Sequence, residues 1–350
     1  MKIALLYVDA LAPGGYPRDV RWLAGTLAGM GHDVSVLGRP GRHHDGLSGA
    51  RVVEDPHRWA YEAHVADILH GFGLSRRDHL KALLRLRSET RHLVVSPLAH
   101  LMKEHVRIYG WKKRPVYFLS GALLSARGAR FHYFSRQEAA ESRTYIPSKR
   151  SFIETVGVFP VDGATPDAPV PREHLLFFGR NDVHQKGLDI LVKGYERALA
   201  DGLEVPLVIG GRSHGTSEAY LAVVAARLKG KLQIAGETDD EGRAALMQRS
   251  KAFVFLSRWD GPPRPIREAL ALGVPAIVSP GTNMGDLVSE HGAGAQVTDV
   301  ASVAAALRSA ADDGTVEGWR AGAARLRDAL AWPTVAAGYV GAYERSLEGG

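Results

Sequence analysis

Residues Ser257 to Pro280 read SRWDGPPRPIREALALGVPAIVSP, and the fold of this chain is best deduced from them. The stretch follows an apolar run, places Asp260 in a turn and Glu268 in the first turns of a short helix, and ends in a second apolar run. This order predicts a strand, a turn, a helix and a parallel strand. With seven residues between them, the two carboxylates are expected to reach into one cleft.

Strands and helices alternate in the same way along the whole chain. Near-continuous apolar runs predict parallel strands covered on both faces, and apolar residues at steps of three and four predict amphipathic helices. The predicted strands are 2–8, 33–37, 66–69, 92–96, 174–178, 206–209, 232–235, 252–256 and 275–278. The predicted helices are 18–30 closed by Gly31, 76–87, 117–126, 136–145, 188–200, 217–228, one that begins with a capping box at Thr238 to Glu241 and ends near Arg249, and 332–347. This alternation predicts an α/β protein with two Rossmann-like domains in tandem.

Two domains are also expected from the length of 350 residues, since domains commonly contain about 100 to 200 residues. The proline-rich segment 159–173 predicts the linker between them. We therefore place an N-terminal domain at 1–162 and a second domain at 172–333. The position of the final helix in the sequence does not determine the domain on which it packs.

The composition is that of an ordinary soluble globular protein, with 45% hydrophobic and 23% charged residues. There are no cysteines, which excludes disulfides, thiolate zinc sites and thiol nucleophiles. The apolar run at the N-terminus is shorter than the roughly 7 to 15 residues of a signal-peptide core. No run approaches the roughly 18 to 20 apolar residues of a membrane span. We expect a cytoplasmic protein, either soluble or peripheral at the inner face of a membrane.

Positive charge is concentrated in the first half of the chain. Residues 1–165 contain 24 Lys and Arg against 15 Asp and Glu, and residues 75–150 alone contain 17 against 5. Two interpretations of this charge are equally good: a face that is simply solvated, and a surface that binds anionic lipid headgroups. A lipid-binding surface would bring a lipid-linked acceptor to the protein. Nucleic acid would suit the same charge, but no recognised motif supports it, and we predict no nucleic-acid partner.

Two places in the sequence suit phosphate. Gly14-Gly15 lies between the first strand and the first helix, where main-chain N–H groups and the helix dipole favour an anion, although a tight turn also needs glycine. Arg180 and Lys186 supply positive charge in the loop 178–187, which suits a diphosphate, although each alone is more often a solvated charge. The fingerprint G-x-G-x-x-G is absent, and no acid that could hold a ribose ends the second strand, which counts against a nicotinamide enzyme.

Asp260 and Glu268 admit several roles. Asp260 could cap a turn, and Glu268 could favour a helix N-terminus. As a pair, they could accept hydrogen bonds from sugar hydroxyls or act as the acid and nucleophile of a glycosidase. Two cationic phosphate sites have no role on a neutral glycoside, which counts against hydrolysis.

Taken in order, these motifs resemble the family-4 retaining glycosyltransferases of GT-B fold. The segments that carry the resemblance are Gly14-Gly15, GHDVSVLG at 31–38, ADILHGFGL at 66–74, VVSPLAHL at 94–101, the GR and QKG of 179–187, and Asp260-x7-Glu268. The resemblance covers nearly the whole chain and is more specific in the second half. It implies two Rossmann-like domains facing across a cleft, the first binding the acceptor and the second the nucleotide-sugar donor. It also implies that the C-terminal helix, about 334–350, crosses back to the N-terminal domain.

The resemblance further implies a role for each matched residue. Arg180 and Lys186 would hold the donor diphosphate and stabilise the leaving group in place of a metal. Glu268 would bind the ribose hydroxyls, and Asp260 would bind the hydroxyls of the transferred sugar. The remaining donor-binding positions are the amides of Gly14 and Gly15 at the distal phosphate, and Gly179, Gly211, Arg264 and Ile266.

The sequence departs from the family pattern at two positions. The family usually has Glu where Asp260 stands, so the reach to the sugar is about one methylene shorter and the donor preference stays open. Family members often have His directly after Ser-Pro, whereas this chain has Leu98 there and His100 two residues later. His100 is therefore a candidate catalytic residue, with a structural role as the alternative. No D-x-D motif exists, so we expect no metal and no cofactor other than the nucleotide sugar.

The expected activity is the transfer of a sugar from a nucleotide-diphosphate sugar to a hydroxyl of a saccharide or lipid-linked saccharide. Transfer would proceed by front-face displacement with retention, in polysaccharide or glycolipid assembly. A nucleotide-sugar epimerase or phosphorylase of the same fold remains an alternative. So does a nucleotide-sugar-binding or basic anion-binding protein without transfer activity. The donor base, the sugar and the acceptor cannot be deduced from these residues.

Overall fold

The computed structural model describes residues 1–86, 92–161, 165 and 170–348, and the chain forms two compact units. The N-terminal unit comprises Met1–Gly157 and Ala331–Gly350, and the C-terminal unit comprises Val158–Leu330. The linker predicted at 159–173 lies partly outside the described residues. Its first residue, Phe159, is not linker, because it is buried in the C-terminal unit with the Arg267 guanidinium 5.1 Å from its ring.

In the described part of the N-terminal unit, seven parallel strands form one sheet in the order β3-β2-β1-β4-β5-β6-β7. The strands are β1 Lys2–Leu6, β2 Asp33–Leu37, β3 Arg51–Val53, β4 Ile68–Phe72, β5 Leu93–Ser96, β6 Arg130–Tyr133 and β7 Ser151–Ile153. Every residue of β4 and β5 is buried, as expected for central strands covered on both faces. The strand order reverses between β1 and β4.

Six helices among the described residues of this unit lie between its strands in the sequence. They are α1 Gly15–Gly29, α2 Trp59–Val65, α3 Arg77–Leu86, α4 Lys103–His105, α5 Arg114–Ala126 and α6 Arg136–Ser142. A π-helical turn, Val106–Gly110, and a 3₁₀ turn, Trp111–Lys113, join α4 to α5. Residue 87, the predicted end of α3, lies outside the described residues.

The ends of α1 differ in how well they were predicted. The helix begins at Gly15 and not at the predicted Arg18, because Gly14 with a φ of 132° is its N-cap. At the other end, the N–H of Gly31 donates to Ala28 and the N–H of His32 donates to Leu27. This is a Schellman motif, and it confirms the predicted closing glycine.

Other elements of the N-terminal unit were placed wrongly or missed. β4 begins at Ile68 and not at the predicted Ala66, because Ala66 is the C-cap of α2. The strands β3, β6 and β7 were not predicted, since β3 and β7 have only three residues and β6 carries Arg130 and His132. Short or polar strands lack the apolar run on which such predictions depend.

In the described part of the C-terminal unit, six parallel strands form a second sheet in the order β10-β9-β8-β11-β12-β13. The strands are β8 His174–Phe178, β9 Leu207–Gly210, β10 Leu232–Gly236, β11 Ser250–Phe255, β12 Ala276–Val278 and β13 Gly294–Gln296. The helices are α7 Leu188–Ala200, α8 Ser217–Arg227, α9 Asp240–Gln248, α10 Arg264–Ala271, α11 Gly285–Glu290, α12 Val300–Ser309 and α13 Asp313–Ala329, with a 3₁₀ turn at Pro280–Thr282. β11, α10 and β12 confirm the unit predicted around residues 257–280.

The predicted capping box at Thr238 to Glu241 is wrong. Asp239 is the N-cap of α9, and its carboxylate accepts the N–H of Gly242 at 2.8 Å, while the Thr238 hydroxyl donates to the Asp239 carbonyl. The helix therefore starts one residue later than the box required, because aspartate competes effectively with threonine as a cap.

The last helix, α14 Trp332–Glu348, packs within the N-terminal unit, which confirms the predicted crossing. A buried chain of hydrogen bonds joins it to the sheet. The carbonyl of Glu154 can only accept, so His132 Nε2 donates to it at 2.9 Å, and His132 Nδ1 accepts from Ser96 at 2.6 Å. His70 Nε2 then donates to Ser96 Oγ at 2.7 Å, and His70 Nδ1 accepts from Tyr343 at 2.7 Å. Burial lowers the pKa of His132 to about 4 and holds that of His70 well below its usual value, so both rings are neutral.

Among the helices that the structure describes, none combines the length and the apolar character needed to cross a membrane.

Candidate functional site

The site predicted from residues 257–280 lies in the C-terminal unit, at the carboxyl ends of β8 and β11. These strands are neighbours in the sheet, and the strand order reverses between them. Open parallel sheets bind ligands at such a reversal. The loop after β8, residues 179–187, therefore meets the loop after β11, residues 256–263.

Lys186 and Asp260 form an ion pair between these loops, although 74 positions separate them in the sequence. The Lys186 side chain is only 10% exposed, and its ammonium lies 5.2 Å from the centre of the Phe255 ring. Asp260 also accepts a hydrogen bond from Ser257 Oγ at 3.3 Å, and its main-chain carbonyl accepts from Asn283 Nδ2 at 2.6 Å. A cation removed from water in this way attracts phosphate oxygens more strongly than a solvated one does.

Two contacts fix the main chain around Lys186. Gly187 has a φ of 68°, and a Cβ atom there would lie 2.1 Å from the main-chain oxygen of Leu256, so only glycine fits. Arg258 donates to both carboxylate oxygens of Asp189, each at 2.8 Å, and so ties the loop after β11 to the start of α7. The packing of the two loops thus sets the position of the lysine.

Arg180 lies in the same loop but is exposed. Its guanidinium donates to the side-chain oxygen of Gln185. Gln185 is held in turn, since its main-chain N–H donates to Asp182 at 2.8 Å and its side-chain amide donates to the Trp259 carbonyl at 3.4 Å. The structure therefore places Arg180 at the rim of the site, whereas Lys186 lies inside it.

Glu268 is buried in α10, where two arginines bind its carboxylate. Arg264 Nε, one turn earlier, donates to Oε1 at 2.7 Å. Arg243 of α9 lies with Nε 3.2 Å from Oε2 and donates from Nη2 to Oε1 at 3.3 Å. A carboxylate has about four acceptor positions, so room remains for a further donor such as a hydroxyl. Arg243 was not predicted, because it lies on another helix and no local pattern marks it.

The other predicted positions of this unit are main-chain features. A Cβ atom on Gly211, whose φ is 102°, would lie 2.0 Å from the carbonyl oxygen of Gly179, so the ends of β8 and β9 can approach only because residue 211 is glycine. Ile266 lies in the first turn of α10 with its side chain fully buried. Only its main-chain N–H is therefore suited to contact a donor.

The remaining predicted residues, Gly14, Gly15 and His100, belong to the N-terminal unit. Gly15 is the first residue of α1, so the first-turn N–H groups lie where an anion was predicted, and that contact stays a prediction. His100 is half-buried, with Nδ1 3.0 Å from the carbonyl of Pro97. Burial lowers the pKa of His100 to about 3, so its ring is neutral at neutral pH, and its catalytic role likewise stays a prediction.

The turn before His100 has an unusual backbone that a buried carboxylate holds in place. Leu98 and Ala99 have φ values of 61° and 59°, and such conformations cost about 1–3 kcal/mol each outside glycine. Glu138 accepts the N–H of Ala99 at 2.6 Å and that of Phe134 at 2.8 Å. Burial raises the pKa of Glu138 to about 7. No pattern in the sequence marked Glu138 for this role.

The C-terminal unit thus presents a buried ammonium, an exposed guanidinium and two carboxylates along adjacent loops and one helix. This set suits a ligand that carries both phosphates and hydroxyls. In the part of the chain that the structure describes, no three His, Asp or Glu side chains converge to hold a metal ion.

The segment that carries this site is similar to a known family of proteins. Residues 172–313, less than half of the chain, match the sequence profile of the family described as Glycosyl transferases group 1. The match confirms the resemblance to the family-4 glycosyltransferases, and similar solved structures confirm the GT-B fold over the whole chain.

Among curated proteins, the chain is similar to GDP-mannose:cellobiosyl-diphosphopolyprenol alpha-mannosyltransferases. The one from Xanthomonas campestris is 32% identical over 155 residues, which are 44% of this chain and 40% of that protein. The one from Xanthomonas oryzae pv. oryzae is 33% identical over 150 residues, 42% of this chain and 39% of that protein. The chain therefore aligns with about two fifths of the length of these curated relatives.

Solved structures are similar over nearly the full length. HepE of Anabaena in complex with UDP and glucose has a TM-score of 0.71 at 16% identity, covering 99% of this chain and 100% of that chain. Sucrose-phosphate synthase from Thermosynechococcus elongatus has a TM-score of 0.71 at 18% identity, covering 99% of both chains. At these identities the likeness establishes the fold alone.

Proposed function

We propose that this chain is a retaining, metal-independent glycosyltransferase that moves a sugar from a nucleotide-diphosphate sugar to an acceptor hydroxyl. The observation that carries the proposal is the ion pair of buried Lys186 with Asp260, which lies at the strand reversal of the C-terminal sheet and inside the segment that matches the family profile. Both residues lie at the carboxyl edge of the sheet, where a bound ligand can replace Asp260 as the ionic partner of Lys186. A diphosphate carries more negative charge than the single Asp260 carboxylate and can displace it from the Lys186 ammonium.

In the proposed reaction, the bond between sugar C1 and the diphosphate oxygen breaks while the acceptor oxygen bonds to C1 on the same face. The acceptor proton passes to the leaving diphosphate, so atoms and charge balance. Lys186 and Arg180 stabilise the negative charge that develops on this leaving group. Preorganised groups of this kind typically contribute about 10²–10³ in rate each.

The carboxylates of Glu268 and Asp260 accept hydrogen bonds from hydroxyls of the donor. Glu268 keeps an acceptor position for a ribose hydroxyl while two arginines hold it in place. Asp260, released from Lys186 when the diphosphate binds, accepts hydrogen bonds from the transferred sugar. The lysine and the aspartate would thus change partners together, which couples recognition of the sugar to that of the diphosphate.

The first donor to test is GDP-mannose, with a lipid-linked saccharide as acceptor, because the relative from Xanthomonas campestris is named for a reaction of that kind. UDP-glucose is the second donor, since HepE of Anabaena was solved with it. In this proposal the protein serves polysaccharide or glycolipid assembly in the cytoplasm, at the inner face of the membrane. Basic residues among 75–150 would hold it at an anionic lipid surface.

A donor screen by thermal shift tests the binding part of the proposal. A ligand present at 100 times its Kd stabilises the folded protein by about 2.7 kcal/mol, which raises the melting temperature measurably. The shift should be lost in K186M and kept in K193M, because Lys193 is an exposed lysine on α7. If no nucleotide sugar shifts the wild-type protein, the proposal is contradicted.

Product analysis tests the reaction and separates the alternatives. Transfer with retention gives a product whose anomeric configuration by NMR equals that of the donor, at a rate that EDTA does not change. An epimerase would convert the donor without an acceptor, and a phosphorylase would need free phosphate. A binding protein would give the thermal shift without turnover of any kind.

A further inference from the structure

The outward face of α5 and the turns before it form the largest concentration of exposed apolar side chains in the described residues. Of the eleven large apolar side chains that are exposed there, six lie between positions 109 and 123. They are Tyr109, Trp111, Val116, Phe118, Leu119 and Leu123, with Phe118 57% and Leu119 61% exposed. Clustered apolar exposure of this kind marks an interaction surface, whereas single exposed residues do not.

The amphipathic pattern of α5 is reversed. The helix buries Tyr117, Ser120, Gly121 and Leu124 against the N-terminal unit. Its exposed face carries Val116, Phe118, Leu119 and Leu123, and no charged residue occurs between Arg114 and Arg127. A helix that only covered the domain core would present its polar side to water. The more apolar face of α5 is therefore available to another partner.

The segment that carries this face is rich in positive charge. No Asp or Glu occurs from 105 to 137, and seven basic residues do. They are Arg107, Lys112, Lys113, Arg114, Arg127, Arg130 and Arg136. The Lys112 ammonium lies 5.2 Å from the centre of the Trp111 ring, so aromatic and cationic groups are interleaved before α5. Two copies of such a surface would repel each other, whereas an anionic partner would be attracted.

We propose that α5 docks onto an anionic lipid bilayer, lying in the interface with its outward face among the acyl chains. The basic residues at both ends of the helix contact the lipid phosphates, and Tyr109 and Trp111 occupy the headgroup level that aromatic side chains prefer. This inference gives the membrane element of the proposed function a defined insertion surface. Because the surface belongs to the N-terminal unit, lipid binding requires no sugar donor.

Co-sedimentation of the full chain with vesicles tests the proposal. Wild-type protein should bind vesicles of 40% phosphatidylglycerol and 60% phosphatidylcholine and should bind pure phosphatidylcholine weakly. F118S/L119S should lower the partition coefficient at least about tenfold, since it removes two exposed apolar side chains from the inserted face. The matched control is V223S, because Val223 is a 67% exposed apolar residue on α8 of the other unit. K112Q/K113Q should lower binding to the anionic vesicles several-fold, most strongly at low salt.

Several results would overturn the proposal. One is wild-type protein that stays in the supernatant with anionic vesicles, and another is F118S/L119S that binds as well as V223S. A third is a dimer in sedimentation equilibrium that F118S/L119S abolishes, because a second copy would then be the partner. Thermal melting shows whether each variant is folded. The donor-induced thermal shift in vesicle-free solution separates failure of this proposal from failure of the glycosyltransferase assignment.

Discussion

Replacing Lys186 should reveal two separable contributions of one side chain, one to stability and one to transfer. In K186M the Asp260 carboxylate loses its cation but keeps the Ser257 hydroxyl at 3.3 Å. Breaking a fully buried ion pair costs about 3–5 kcal/mol. Asp260 remains 23% exposed, so water can reach it, and we expect the smaller loss of about 2 kcal/mol in the free energy of unfolding.

A double-mutant cycle measures the pair itself. D260N should destabilise the protein by a similar amount, because it leaves the Lys186 ammonium buried beside an amide. In K186M/D260N neither charge is left unpaired, so the combined loss should be less than the sum of the single losses by about 1–2 kcal/mol. Since the chain has two units, hydrogen exchange of β8 and β11 should be measured together with urea denaturation, so that opening of the C-terminal unit is followed directly.

The same variants should lower the rate of sugar transfer for a different reason. Loss of the fixed positive charge at the leaving group should reduce kcat by about 10²–10³, and K186M/D260N should be at least as slow as K186M. K193M is the control for both assays. Additive stability losses in the cycle would refute the ion pair in solution. A folded K186M protein with the wild-type rate would refute the leaving-group role.

Three further predictions concern the turn before His100 and two residues of the C-terminal site. Burial raises the pKa of Glu138 to about 7, so between about pH 4.5 and 7 the folded state holds a proton that the unfolded state releases. The free energy of unfolding should therefore fall as pH rises through this range. In urea titrations at pH 5, 6 and 8, E138Q should show a smaller dependence of the free energy of unfolding on pH than the wild type does. G187A should lower the free energy of unfolding by about 2–4 kcal/mol, because its Cβ would lie 2.1 Å from the Leu256 carbonyl oxygen. G202A is the control, since Gly202 also has a positive φ but has open space around it, and this variant should lose only about 1 kcal/mol. Equal losses in the two variants would contradict the steric argument. E268Q should weaken donor binding about tenfold in thermal-shift titrations and leave the fold intact, and an unchanged donor affinity would remove Glu268 from the ribose site.

Much of the fold could be predicted because it depends on local pattern. Apolar runs such as His174–Phe178 and helices with apolar residues at steps of three and four were predicted near their observed positions. Two of the strands that were not predicted share one cause. β7 has three residues and β13 reads GAQ, so neither contains an apolar run. Both are strands only because a neighbouring parallel strand supplies main-chain hydrogen-bond partners.

In the site, too, local features could be predicted and contacts between distant residues could not. The turn with Asp260 and the helix with Glu268 are local features, and the sequence predicted both correctly. Three contacts could not have been read from it: the pairing of Lys186 with Asp260, the second arginine on Glu268, and the support of the strained turn by Glu138. Each joins residues at least 25 positions apart, at ends of strands or helices whose neighbours depend on strand order.

The sequence by itself therefore determined the class of fold, the alternation of strands and helices and the residue types of the donor site, because hydrophobic period and turn chemistry are properties of short segments. Only the tertiary structure decided which charges meet and which face of α5 stays exposed. That face could not be assigned from the pattern, since both sides of the helix are rich in apolar residues. The tertiary structure also showed how α14 is held, because the chain from Tyr343 to Glu154 forms only where three strands and a helix come together.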